Sequence, residues 1–114
     1  MKFDPNVDLT SQFIAMESAV STAQTYADLD MKSYEYGYAE IAYTKGSGTT
    51  LEAEIIVNGV SKYKVVADAT STSGVIKVDA KKNFESPTFT IKVTPSASTD
   101  YSLVLHKYNP MEVI

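Results

Sequence analysis

The chain has 114 residues, a net charge of −4 and a sequence pI near 4.8, with 44% hydrophobic and 21% charged residues. That length suits one domain with one core, and the acidic balance argues against nucleic-acid binding, because a phosphate backbone is repelled. All ten basic residues are lysine, so no guanidinium fork is present to grip phosphate, and the lack of cysteine excludes disulfides and thiolate metal sites.

The start, MKFDPNVDL, carries Asp4, Pro5 and Asp8 where a secretory signal needs an apolar run. The longest aliphatic run, Ile55-Ile56-Val57, is far too short to cross a bilayer. The expectation is a soluble chain with no export signal and no membrane partner.

From Leu9 to Ala27, the apolar residues Leu9, Phe13, Met16, Val20, Ala23 and Ala27 recur in steps of four and three, which predicts a helix presenting them on one face. Asp8 or Thr10 would cap it, with Asp4-Pro5 marking its start. The opposite side holds Ser11, Gln12, Ser18, Ser21, Thr22 and Thr25, with Glu17 the one charge in the middle. A coiled coil places charges beside its seam, so the pattern favours a helix packed on a sheet or a partner. Residues 1–30 are expected to form a helical arm and residues 31–114 a β-sandwich domain.

After Asp30 the period becomes alternating. Strands are predicted over residues 33–44, 51–56, 60–67, 75–80, 88–94 and 101–108, separated by KGSGTT, NG, TSTSG, KKNFESP and PSASTD, all turn or loop chemistry. This spacing indicates a mainly β protein, an antiparallel sandwich of immunoglobulin-like or jelly-roll-like type with an N-terminal helix.

Asn58-Gly59 between EAEIIV and VSKYKVV marks a hairpin. A two-residue turn would set Ile55 against Lys62. A three-residue loop, Val57-Asn58-Gly59 with Gly59 left-handed, instead sets Ile55 against Ser61, Ala53 against Tyr63 and Glu54 against Lys62, and this bulged register is the one expected. Farther on, TPSASTDYSLVL resembles the tyrosine corner of immunoglobulin-like and fibronectin-type domains. The resemblance implies that Tyr101 ties its strand to the preceding loop.

Catalytic chemistry finds little support. His106, the one histidine, alternates with Val104 and Tyr108, and no nucleophile or set of zinc ligands stands at a recognisable spacing from it. The paired acids Asp28 and Asp30, in DLDMKSY, lack the oxygen-rich, glycine-turned pattern of a calcium loop, and Glu52 and Glu54 already have lysine partners in the favoured hairpin register. The glycines of TKGSGTT are not followed by a Walker lysine-threonine. No catalytic, cofactor-binding or metal residue is expected, and no cofactor.

What remains is MKSYEYGYAEIAY, in which Tyr34, Tyr36 and Tyr38 share one face of an extended chain. Tyrosine buries apolar area while keeping a polar tip, so the stripe suits a core wall, a protein interface or a sugar-stacking platform. The expected contact residues are Phe13, Met16 and Val20 of the helix together with Tyr34, Tyr36 and Tyr38.

In its size, acidity, lack of cysteine and strands rich in Ser and Thr, which make up roughly a fifth of the chain, the protein resembles small bacteriophage virion components, capsid decoration proteins in particular. The resemblance implies a noncatalytic protein located in the virion, bound to neighbouring subunits including copies of itself. The alternative is a carbohydrate-binding or adhesion module, secreted or at a cell surface, that binds a glycan through the tyrosines.

Overall fold

A computed structural model describes residues 7–82 and 85–110. Eight strands follow one another: β1 (Val7–Val20), β2 (Gln24–Asp30), β3 (Tyr36–Lys45), β4 (Leu51–Val57), β5 (Val60–Val66), β6 (Ser73–Lys81), β7 (Thr88–Pro95) and β8 (Thr99–Pro110). They form two antiparallel four-stranded sheets, one in the order β1-β8-β3-β6 (sheet A) and the other β2-β7-β4-β5 (sheet B). Strand 1 pairs with 8, 2 with 7, 3 with 6 and 4 with 5, and this nesting is the jelly-roll form of the β-sandwich.

The sandwich follows from period-two burial. In β4 and β7, Leu51, Ala53, Ile55 and Val57 face Phe89, Ile91 and Val93 on the inner side of sheet B, while Glu52, Glu54, Lys92 and Thr94 point away. Sheet A contributes Ala39, Ile41, Val78, Leu103 and Leu105 from its inner side. Each large aliphatic side chain fully withdrawn from water is worth about 1.5–3 kcal/mol. The register of these central strands is therefore held, because a one-residue slip would turn every one of them outward.

The predicted N-terminal helix is replaced by strands β1 and β2. The steps of four and three that suggested a helix have another cause. Leu9 and Phe13 lie on one face of β1 four residues apart, as a strand allows, and an irregularity between Phe13 and Ala15 inserts an extra residue that brings Met16 to the same face after three. A second register shift, between Glu17 and Val20 and with Ala19 at φ 54°, displaces the next step. Pairing with β8 along almost the whole of β1 outweighs the local pattern, which the Ser- and Thr-rich sequence supports only weakly as a helix. The expected helix start at Asp4-Pro5, and Asn83-Phe84 of the expected KKNFESP turn, lie outside the described residues.

The hairpin register also differs from expectation. Val57 pairs with Val60, so Asn58 and Gly59, at φ 51° and 79°, form a two-residue turn. The bulge lies one step farther on, at Lys62, and it places Ile55 opposite Tyr63, Ala53 opposite Val65 and Glu54 opposite Lys64. Moving the extra residue out of the turn and into the edge strand retains the mirror-image turn, which suits strand twist, and still keeps lysine away from the core.

Among the described residues, Lys45 and Lys107 are buried, with different surroundings. Lys45, 5% exposed, donates from Nζ to the carbonyls of Thr49 (2.8 Å), Asp68 (2.9 Å) and Ser71 (2.6 Å), joining the β3–β4 and β5–β6 connections. Lys107, 2% exposed, lies on the inner side of β8, where burial lowers its pKa from the ordinary lysine value.

Candidate functional site

The outer face of sheet A is built in rows across β1, β8, β3 and β6. The pairings align Leu9, Tyr108, Tyr36 and Lys81 in one row and Ser11, His106, Tyr38 and Asp79 in the next. Phe13, Val104, Glu40 and Lys77 follow, then Met16, Ser102, Ala42 and Val75. Because paired residues point the same way, all of these share the outer face. Leu9, Phe13, Met16, Tyr36 and Val75 are large apolar side chains left 46–74% exposed.

The tyrosines thus point away from the core, and their strand's inner face is Gly37, Ala39, Ile41 and Tyr43. Tyr36 stacks on Tyr108 with centroids 5.8 Å apart and planes at 27°. Tyr38 lies 4.8 Å from the His106 ring, and the Lys77 ammonium sits 5.2 Å from the centre of Tyr38. Tyr34 precedes β3 in a turn in which its N–H donates to the Met31 carbonyl at 2.9 Å, while its hydroxyl is bonded to that of Thr10. Of the six expected contact residues, Phe13, Met16, Tyr36 and Tyr38 are gathered on this face. Val20 instead pairs with Thr99 and packs, half-buried, against the core.

At the centre of the face, His106 joins three strands. Its Nδ1 is 2.8 Å from Ser11 Oγ on β1, and its Nε2 is 2.7 Å from Glu40 Oε1 on β3. Both ring nitrogens are thus hydrogen-bonded, one to the serine hydroxyl and the other to the carboxylate. Ser11 and Glu40 were not singled out by sequence, because their meeting depends on two long-range pairings. The one legible signal was the alternation along β8 that set His106 beside Val104 and Tyr108.

The arrangement resembles a nucleophile, base and orienting acid, but it lies on an open sheet face. Acyl transfer also needs donors preorganised for the oxyanion in a water-excluded site. Beyond it, a shallow groove of about 610 Å³ runs past Met16, Ala42, Gly74, Val75 and Ser102. Among the described residues, no three His, Cys, Asp or Glu side chains gather as a metal site. No helix among them is long and apolar enough to cross a membrane.

Tyr101 does not make the expected tyrosine corner. Its hydroxyl meets that of Tyr26, on the opposite sheet, at 2.7 Å, and the loop before β8 is closed instead by the Thr99 hydroxyl donating to the Ala97 carbonyl at 2.9 Å.

The fold is a small jelly-roll β-sandwich whose sheet A presents exposed apolar and aromatic side chains on its outer face. No protein-family model matches the chain, and no curated protein matches it in sequence. Among solved structures, it is similar to a Bacillus endospore appendage, described as forming disulfide-linked pili, at 15% identity over 98% of both chains with a TM-score of 0.52. It also matches the C-terminal CBM6 of a laminarinase from Zobellia galactanivorans, at 8% identity over 90% of this chain and 99% of that one (TM-score 0.49). A third match is the coat protein of tobacco streak virus, at 9% identity over 100% and 94% (TM-score 0.47). At 15% identity the likeness to the spore appendage shows the fold alone.

Proposed function

We propose that this chain is a noncatalytic structural subunit, a virion component of the capsid-decoration kind, and that it attaches to neighbouring subunits through the outer face of sheet A. One observation carries the reading: Leu9, Phe13, Met16, Tyr36 and Val75 lie exposed together on that face. Large apolar side chains gathered on one exposed sheet face, here between polar rows, favour a contact with another macromolecule. Methionine, leucine and valine gain little from a sugar but much from a protein surface, with the tyrosines adding aromatic area that keeps polar tips. The chain has no cysteine, so its assembly rests on noncovalent contacts rather than the disulfide links named for the spore pili.

Sedimentation of the native source material with mass spectrometry tests the reading. The chain is expected in a large particle at fixed stoichiometry, and recovery only as a free small species would overturn it. A hydrolytic or transfer activity that is lost in His106→Gln would overturn the noncatalytic part.

A second reading, glycan binding, is favoured by the stacked Tyr36 and Tyr108 rings, with the polar Ser11 and Asp79 in the next row. It requires a glycan whose binding is lost in Tyr36→Ala while the fold is retained.

A further inference from the structure

We infer that a second copy of this chain pairs with the open edge of β1, antiparallel and about a two-fold axis at Ser11, so that two copies of sheet A join into one eight-stranded sheet. The inference rests on the assembly reading above and names the partner and the register.

The four sheet edges are not alike. A free edge offers unpaired backbone donors and acceptors to any extended chain, and proteins protect such edges with lysines, bulges and inward charges. The β5 edge carries Lys62 and Lys64 and the β6 edge carries Lys77 and Lys81. The β2 edge is broken between Tyr26 and Leu29, where Asp28 has φ 59°. The β1 edge has register shifts of its own after Phe13 and after Glu17, but from Val7 to Phe13 it pairs with β8 in unbroken register, and Leu9 to Met16 contains no charged residue. Its outward side chains include Leu9 at 57% exposure and Phe13 at 62%.

Charge decides which edge can meet it. If β1 met the β6 edge of another copy, extending the sheet head to tail, the charged Lys77, Asp79 and Lys81 would lie beside an outer face of β1 that holds no charge between Leu9 and Met16 to pair with them. Two β1 strands related by a two-fold axis at Ser11 instead set Leu9 opposite Phe13 of the other copy, twice, with Ser11 opposite Ser11 and Thr10 opposite Gln12. No acid meets an acid, and the exposed apolar side chains cover one another. Such a contact is isologous and closes after two copies.

The absence of native cysteine makes the test direct, since each introduced thiol is unique. Directly opposed residues in an antiparallel pair have Cα atoms about 4.5–5.5 Å apart, within disulfide reach. Ser11→Cys is expected to form a covalent dimer under mild oxidation. Thr10→Cys or Gln12→Cys alone is expected to stay uncrosslinked, while an equimolar mixture of the two crosslinks, a result that does not depend on the Ser11–His106 hydrogen bond. Phe13→Ser is expected to raise the dimer dissociation constant, measured by analytical ultracentrifugation, about tenfold or more. Self-crosslinking of Thr10→Cys would overturn the register. A native oligomer with no crosslinking through any of these positions would overturn the β1 contact while leaving the assembly reading intact. A chain that is monomeric up to high concentration, with no crosslinks, would overturn the inference; if it is also absent from any large particle in the source material, the assembly reading falls as well.

Discussion

The hydroxyls of Tyr26 and Tyr101 meet at 2.7 Å across the sandwich, one from sheet B and the other from sheet A, and Tyr26 also donates to Glu17 Oε2 at 3.1 Å. This polar bridge links β1, β2 and β8 at the side of the core where β1 is most irregular. Burial raises the pKa of both phenols above the tyrosine value of 10.0, and at Tyr26 the hydrogen bond to Tyr101 adds to the effect.

Removing the bridge therefore has a stability cost and a pH signature. Tyr26→Phe removes both hydrogen bonds of this hydroxyl and is expected to lower stability by about 1–3 kcal/mol, since each is worth about 0.5–1.5 kcal/mol net. A raised phenol pKa means that the folded state holds its proton more tightly than the unfolded chain. The stabilisation is complete below pH 10 and is lost as pH rises above it. Thermal melts of the wild type should fall steeply above that pH and those of Tyr26→Phe less so; parallel curves would refute the assignment.

Lys45 makes a different kind of bridge. Replacing it by methionine keeps most of its volume but leaves the carbonyls of Thr49, Asp68 and Ser71 without their shared donor. The expected loss is about 2–3 kcal/mol, read from the urea midpoint. A change within about 0.5 kcal/mol would mean that these carbonyls find water instead.

At Gly37 the constraint is space, since β3 and β8 approach closely there. A Cβ at this position would lie 2.3 Å from the His106 carbonyl oxygen and 2.7 Å from Met31 Cε. Methionine can move, but the backbone oxygen is held in the ladder. Gly37→Ala is expected to cost about 3 kcal/mol and to perturb the amide resonances of Tyr36 to Tyr38 and of His106. A neutral substitution would show that the strands separate easily at this row.

Lys107 offers the opposite sign. Its stem is buried, and desolvation holds its pKa down. Lys107→Met is expected to raise stability by about 1 kcal/mol at neutral pH, because burying an alkyl chain replaces burying an ammonium. The gain should shrink as pH approaches the lysine value of 10.5, where the unfolded chain also loses its proton. A destabilised variant would indicate that the attraction between Lys107 and Asp30 exceeds the cost of burial.

The sequence alone determined the single-domain size, the acidic surface, the impossibility of disulfides and the alternating strands from β3 onward. Those strands were legible because their inner faces are buried at every second residue, as in Leu51, Ala53, Ile55 and Val57. It also marked Phe13, Met16, Tyr36 and Tyr38, although not their common face. Only the tertiary structure decided that β1 is a strand, since its bulges imitate a helical period and its partner β8 lies about 90 residues away. The same long-range pairing sets Ser11 and Glu40 on the two sides of His106 and brings Tyr26 to Tyr101. Periodicity records which way a side chain points relative to its own strand, whereas a functional face is made by the strands that become neighbours.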